Sequence, residues 1–265
     1  RIFYFLHEHY NMNRYFFEIS YDGTNFFGWQ IQPTERTVQG TIEDALYKLC
    51  SLNHIQIVGC GRTDTGVHAK KYFFHADMEL KMDEENFMYK LNCMLPQSIS
   101  VQSLQQVDDN LHARFDAKLR TYRYFIHPKK DPFKKSFSWF ISQSLDFELM
   151  QKAANTLIGT QDFEAFSKKH TDVKSHICNV SNACFLDQKQ GVVFEISANR
   201  FLRNMVRAIV GTLIEVGLRK LSIEDFQKIL DSKDRQKAAA SAPSEGLNLW
   251  DVIYPIQLDA HLQSK

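Results

Sequence analysis

Gly59-Cys60-Gly61-Arg62-Thr63-Asp64-Thr65-Gly66-Val67-His68-Ala69 is the stretch on which the reading of this chain turns. Its three glycines surround one carboxylate, one guanidinium and two threonine hydroxyls, and glycine serves where φ must be positive or something must approach the backbone. The letters on either side have strand character, Ile55 to Val58 before it and Tyr72 to Ala76 after it. The stretch therefore reads as a loop hung between two sheet elements, which fixes a site better than a free surface loop does. In such a loop Arg62, two positions from Asp64, would keep the carboxylate ionised, with Thr63 and Thr65 as hydroxyl donors to it. An Asx-type turn, in which Asp64 bonds only its own backbone, explains the same letters.

Familiar ligand loops do not fit. The glycine spacing is G-x-G-x-x-x-x-G and no Gly-Lys-Ser/Thr follows, so neither a dinucleotide nor a nucleoside triphosphate is supported. Cys60, His68 and His75 lack the paired spacing of a zinc site and no Cys-x-x-Cys occurs, so no metal and no cofactor are expected.

Working outward, Tyr15, Phe17, Ile19 and Tyr21 alternate along a strand that Asp22-Gly23 closes in a turn. Thr37 can cap a helix whose apolar positions Val38, Ile42, Ala45, Leu46 and Leu49 follow the 3.6-residue period. Asp83, Glu84 and Glu85 open a second helix that Pro96 ends, and Ile99 to Val107 is a strand. The order then restarts. Strands are expected at Thr121 to Ile126 and near Phe137 to Ile141, a helix from Asp146 to Ile158, and strands at Asn179 to Leu186 and Val192 to Ala198. A long helix from Phe201 to Val216, stopped by Gly217, and a short one opened by Ser222 and Asp225 complete it. This is an α+β chain built as an internal structural repeat. The expected division is a half at 12–112 carrying the Asp64 loop and a half at 113–265. Residues 1–11 differ in character from the rest of the chain and are expected to be an extension, not necessarily native.

At 265 residues the chain can bury a substantial core. Lys and Arg number 32 against 31 Asp and Glu, so any nucleic-acid surface must be a local patch. Five cysteines form no framework, which suits a reducing interior and points to the cytoplasm. No apolar run approaches the roughly 18 residues that span a bilayer.

Three further motifs carry chemistry. Leu119-Arg120-Thr121-Tyr122-Arg123-Tyr124 interleaves basic and aromatic residues on a strand, with Tyr122 and Tyr124 on one face and Thr121 and Arg123 on the other. That pattern fits base stacking beside phosphate contacts, but taken alone it favours a strand with tyrosines in the core and arginines on the surface. Phe201-Leu202-Arg203-Asn204-Met205-Val206-Arg207 places Arg203 and Arg207 four apart, on one face of the expected helix, as an exposed basic edge. Ser241-Ala242-Pro243-Ser244-Glu245-Gly246-Leu247 lies near the end. Arg114, Lys118, Arg120, Lys168, Lys169 and Lys174 are candidates for phosphate contact, although a solvated face explains them as well.

Gly-Arg-Thr-Asp-Thr-Gly-Val-His-Ala and these motifs, in the same order, resemble the tRNA pseudouridine synthase A family over nearly the whole chain from Met12 to Pro255. The resemblance implies two ferredoxin-like halves sharing one mixed, mostly antiparallel sheet with helices on one face. It implies isomerisation of uridine to pseudouridine at tRNA positions 38, 39 and 40, by a homodimer whose protomers share each tRNA. Residue by residue it makes Asp64 the catalytic aspartate, Arg207 the arginine that pairs with it as a buried cation, and Arg62 the residue that fills the space of an extruded base. Tyr122 would stack on the target uracil, and Leu247 would line its pocket or serve as plain core. Arg203 joins the RNA-binding candidates. Two other classes remain: a non-catalytic RNA-binding module, and a glycoside or nucleoside hydrolase. The latter usually needs a second carboxylate within roughly 5 to 10 Å, and Asp22 is accounted for by its turn.

Overall fold

The computed structural model describes residues 12–50, 55–169, 173–189, 191–256 and 258, so the extension expected at 1–11 lies outside the described residues. In chain order the elements are β1 (Asn13–Tyr21), α1 (Val38–Cys50), β2 (Ile57–Gly59), β3 (His68–Met78), α2 (Glu84–Met94), β4 (Ile99–Val107), β5 (Leu119–His127), β6 (Trp139–Phe140), α3 (Phe147–Asn155), β7 (Gly159–Asp162), β8 (Ile177–Gln188), β9 (Gly191–Ala198), α4 (Met205–Gly217), α5 (Ile223–Ser232) and β10 (Leu247–Ile253). One ten-stranded sheet runs β4-β1-β3-β10-β5-β9-β8-β7, with β2 added to β3 and β6 to β5. Among the described residues only β10 with β3 and β6 with β5 pair in parallel; the rest is antiparallel. This is the α+β architecture expected.

The alternation in β1 does what its letters foretell. Tyr15, Phe17, Ile19 and Tyr21 are buried, and Phe17 stacks on Phe74 at 4.5 Å and meets Phe87 of α2 at 6.4 Å. Phe16, on the opposite face, is buried too, because His75 at 5.8 Å and Tyr254 at 5.5 Å cover it. Helix starts follow their caps. Thr37 Oγ1 accepts from Gly40 N at 3.2 Å, Asp83 from Asn86 N at 2.9 Å and Asp146 from Leu149 N at 3.1 Å, and Ser222 with Asp225 forms a full capping box.

Some boundaries move. α3 ends at Asn155, short of Ile158, and Gly159 at φ +107° opens β7, a strand the sequence did not announce. α4 begins at Met205 and not at Phe201, because Asn204 adopts the left-handed conformation at φ 65°. Arg203 and Arg207 therefore do not share a helical face: Arg203 lies in the turn before the helix. α4 is buried on nearly every side, as its apolar composition requires. β10 went unread as well. It stands between β3 and β5 at the middle of the sheet, with a register irregularity between Leu249 and Asp251.

Candidate active site

β2 and β3 form an antiparallel pair, Ile57 opposite Ala76 and Gly59 opposite Phe74, and the site loop is their connection, Cys60 to Val67. Several of its backbone groups are tied down. Cys60 N donates to Phe73 O at 2.8 Å, Trp29 N to Thr63 O at 3.3 Å and Gly66 N to Phe26 O at 3.2 Å. Beneath it Trp29 stacks on Tyr72 at 4.2 Å, and the Tyr72 hydroxyl donates to Gly61 O. Gly28, at φ +83°, lies so close that a Cβ there would strike Thr63 O. Val67 N donates to the backbone carbonyl of Asp64 at 3.1 Å, closing the turn without the carboxylate, so the Asx-type alternative is not realised.

The Asp64 carboxylate meets two guanidiniums. Arg207 Nη1 is 3.7 Å from Oδ2 and Arg203 Nε is 3.9 Å from Oδ1. Both separations are ion-pair distances beyond hydrogen bonding, and no hydrogen bond to this carboxylate is made among the described residues. Arg207 is aimed by its own backbone partner: Nε donates to Ala242 O at 2.7 Å, while Ala242 N donates to Arg207 O at 2.9 Å. The expectation of a buried cation needs correcting. The Arg207 and Asp64 side chains keep 22% and 24% of their exposure, and Arg203 keeps 53%, so water screens the pairs.

Two other expectations change. Thr63 does not serve Asp64, because its hydroxyl shares a buried 2.9 Å hydrogen bond with Tyr21. Arg62 is exposed and makes no ion pair among the described residues; the guanidiniums beside the carboxylate come from the 203–207 segment.

Tyr122 is buried, its ring 5.1 Å from Phe201 in an edge-on contact. Burial, with Cys60 and the Asp64 carboxylate adding to it and Arg120 opposing, holds its phenol far above the ordinary range, so it is a neutral hydroxyl. Leu247 is buried opposite Tyr124 at the start of β10, next but one to Leu249, which faces Tyr122. The Cys60 thiol is pushed up to about 11 by burial and is unreactive.

Arg120 was a phosphate candidate. It spends its N–H donors on carbonyls: Nε on Cys60 at 3.3 Å, Nη1 on Ala117 and Asn199 at 3.2 and 2.9 Å, Nη2 on Cys60 and Arg114 at 2.8 and 2.7 Å. It fastens the start of the site loop to the 114–117 turn and has no donor left for a phosphate. Arg114 and Lys118 are exposed on that turn, with Arg114 5.7 Å over the Phe115 ring. Lys169 pairs with Asp234 at 3.4 Å and Lys174 is exposed.

His68 escaped the sequence reading except as a rejected metal ligand. It is buried at the start of β3, where Nδ1 accepts from Gly23 N at 3.1 Å, and burial lowers its pKa against the opposing pull of Asp22. It thus clamps the β1 turn to the site loop as a neutral ring. Asp22 itself caps that turn, accepting from Thr24 N at 2.9 Å. Away from the site, ligand atoms of Asp162, Glu164 and His176 lie within 4.8 Å of one another, but the Asp162 carboxylate already holds Lys233 Nζ at 3.0 Å and Glu164 N at 3.0 Å. Among the described residues no helix is long and apolar enough to cross a membrane.

A family model described as tRNA pseudouridine synthase matches residues 19–116 and 153–255. A relative named tRNA pseudouridine synthase A from Bacteroides thetaiotaomicron is 47% identical over 247 residues, covering 92% of this chain and 91% of its own. Those from Parabacteroides distasonis and Bacillus subtilis are 47% identical over 248 residues and 41% over 239, covering 98% and 97% of their own lengths.

Proposed function

The chain belongs to the tRNA pseudouridine synthase family, isomerases that act on tRNA, and from that premise we propose a mechanism centred on Asp64 and a target at positions 38, 39 and 40 of the anticodon stem-loop. The enzyme isomerises uridine to pseudouridine in tRNA. The N1–C1′ bond breaks, the detached uracil turns, C5 joins C1′, and the proton leaving C5 is balanced by one gained at N1. The change is redox-neutral and needs no cofactor.

The observation that carries the proposal is the Asp64 carboxylate, flanked by Arg203 and Arg207 and free of hydrogen bonds among the described residues. Two cations flank it without occupying its lone pairs, so it can act at the ribose or the base as nucleophile or general base. Arg207 orients it from the Ala242 carbonyl. In this reading the Tyr122 ring, which packs against Phe201, stacks on the uracil with its hydroxyl neutral, and Leu247 supplies an apolar wall. Arg62, exposed beside Asp64, is placed to enter the space left when a paired uridine is extruded, a step that costs a few kcal/mol. Arg114, Lys118 and Arg203 are the proposed phosphate contacts.

The same proposal takes 12–112 and 113–265 as two halves facing the substrate, a homodimer as the working unit and the cytoplasm as its place. A nucleoside hydrolase would need a second carboxylate at the sugar, roughly 5 to 10 Å from the first, whereas the ion-pair partners of Asp64 among the described residues are Arg203 and Arg207.

The test measures pseudouridine in unmodified tRNA transcript with wild type and with Asp64→Asn, beside a binding assay. The expected result is a loss of more than about 10³-fold in rate with binding within a few-fold of wild type. An active Asp64→Asn removes the site assignment, release of free uracil favours hydrolysis, and binding without pseudouridine favours a non-catalytic module.

A further inference from the structure

The connection between β5 and β6 carries Lys129-Lys130-Asp131-Pro132-Phe133-Lys134-Lys135, four lysines against one aspartate in a chain of formal net charge +1. It lies in the stretch between the two segments that the family model matches. Its one acid is used internally: the Asp131 carboxylate accepts from Phe133 N at 2.9 Å and its carbonyl from Lys134 N at 3.2 Å. That turn leaves Phe133 93% exposed. Lys129, Lys130 and Lys135 are exposed beside it and make no ion pair among the described residues.

The foot of the turn is fixed, and it packs on the strand that leaves the site loop. Phe137 packs on the His68 ring at 4.8 Å, His127 Nδ1 meets Ser138 Oγ at 2.8 Å, and Ile141 N donates to His127 O at 3.0 Å. His68 follows Asp64 by four residues, which limits their Cα separation to about 14 Å. A rigid turn that raises three ammonium groups and one bare ring beside a site for RNA has the two parts of a single-strand contact, cations for phosphates and an aromatic face for a base.

Building on the assignment of Asp64 to RNA modification, we propose that Lys129, Lys130, Lys135 and Phe133 form a second contact with the substrate RNA. The lysines take phosphates of the strand next to the extruded uridine, and Phe133 stacks on an unpaired base of the same strand.

The test uses the full chain and unmodified tRNA transcript, with affinity measured from about 50 to 200 mM salt, the range over which phosphate contacts are read. Replacing the three lysines by glutamine is expected to lower the slope of log affinity against log salt by about 2 to 3, at ~0.7 to 0.9 for each phosphate no longer neutralised. Replacement by arginine should keep the slope. Phe133→Ala should weaken binding roughly 5-fold or more at unchanged slope, in line with the stacking energy of a base on an aromatic ring. Unchanged slope and affinity in variants that melt as the wild type does would overturn the proposal. So would a change in sedimentation with tRNA binding intact, which would make the turn a contact between copies of the chain. The two readings fail separately: tRNA binding without pseudouridine removes the isomerase mechanism and leaves the slopes to judge the turn, whereas pseudouridine formation with unaltered slopes removes the turn alone. A wild type that binds no tRNA would overturn both.

Discussion

At the scale of single residues the site depends on groups that hold and do not react. Arg207 reaches Asp64 while Nε is committed to Ala242 O at 2.7 Å, so Arg207→Lys keeps a charge but loses the bond that aims it. The expected outcome is a fall of about 10²-fold in kcat with tRNA affinity within a few-fold, read by single-turnover kinetics against a binding titration. Its effect on melting should be small, under ~1 kcal/mol, because the pair is partly exposed. Gly28 is different, since it holds φ +83° with no room for a Cβ against Thr63 O. Gly28→Ala should cost about 2 to 4 kcal/mol in a denaturant titration, from left-handed strain and a clash with backbone. The loop glycines and Asp64 could be read from letters, because glycine spacing speaks directly about backbone shape. Of the partners of Asp64, Arg207 was legible only through its motif's resemblance to a family, and Arg203 was not legible as a partner at all. Arg203 and Arg207 come to one carboxylate only because Asn204 turns left-handed, and a non-glycine at φ 65° has no reliable signature in sequence.

At the scale of elements, capping residues announced helix starts to within a residue, because a cap is a local bond. Ends and bulged strands were harder. β3 begins at His68, but two lysines at 70 and 71 break its alternation where its register against β1 shifts, so the letters showed only Tyr72 onward. β10 hides for the same reason, carrying Asn248 and Asp251 around a register irregularity. Arg120 shows how one side chain can join elements that share no local signal, since its carbonyl partners lie on the site loop, the 114–117 turn and the residue after β9. Arg120→Met should destabilise by about 2 to 4 kcal/mol and lower activity, with Arg120→Lys recovering only part of each. Melting and pseudouridine assays on the same preparations check this, and a variant of wild-type stability would deny Arg120 its fastening role.

At the scale of the whole molecule, the second face of the sheet is covered where His75 accepts from Ala113 N at 3.1 Å and stacks on Phe16. Burial first, then the charges of Arg14 and His112, lowers the His75 pKa to about 4. Its neutral form belongs to the folded state, so an unfolded chain gains a proton first as pH falls. Stability is full above about pH 6.5, declines from there to about pH 4, and loses no more from this group below that. The decline should amount to about 1 to 3 kcal/mol more in wild type than in His75→Gln, measured by urea unfolding across that range. An equal decline in both would show that other groups set the acid limit.

The place of β10 has a consequence in time. β3 and β5 are not neighbours; each waits for β10 to come between them, and roughly 120 residues separate the end of β5 from its start. At ~5 to 20 residues per second, a ribosome leaves the Leu119–Tyr124 edge of β5 and the His68–Ala69 start of β3 without their β10 partner for something on the order of 6 to 24 seconds. Unpaired edges invite pairing with other chains. The nascent protein is thus most vulnerable before β10 arrives, and shielding by a holding chaperone would matter during synthesis far more than after it.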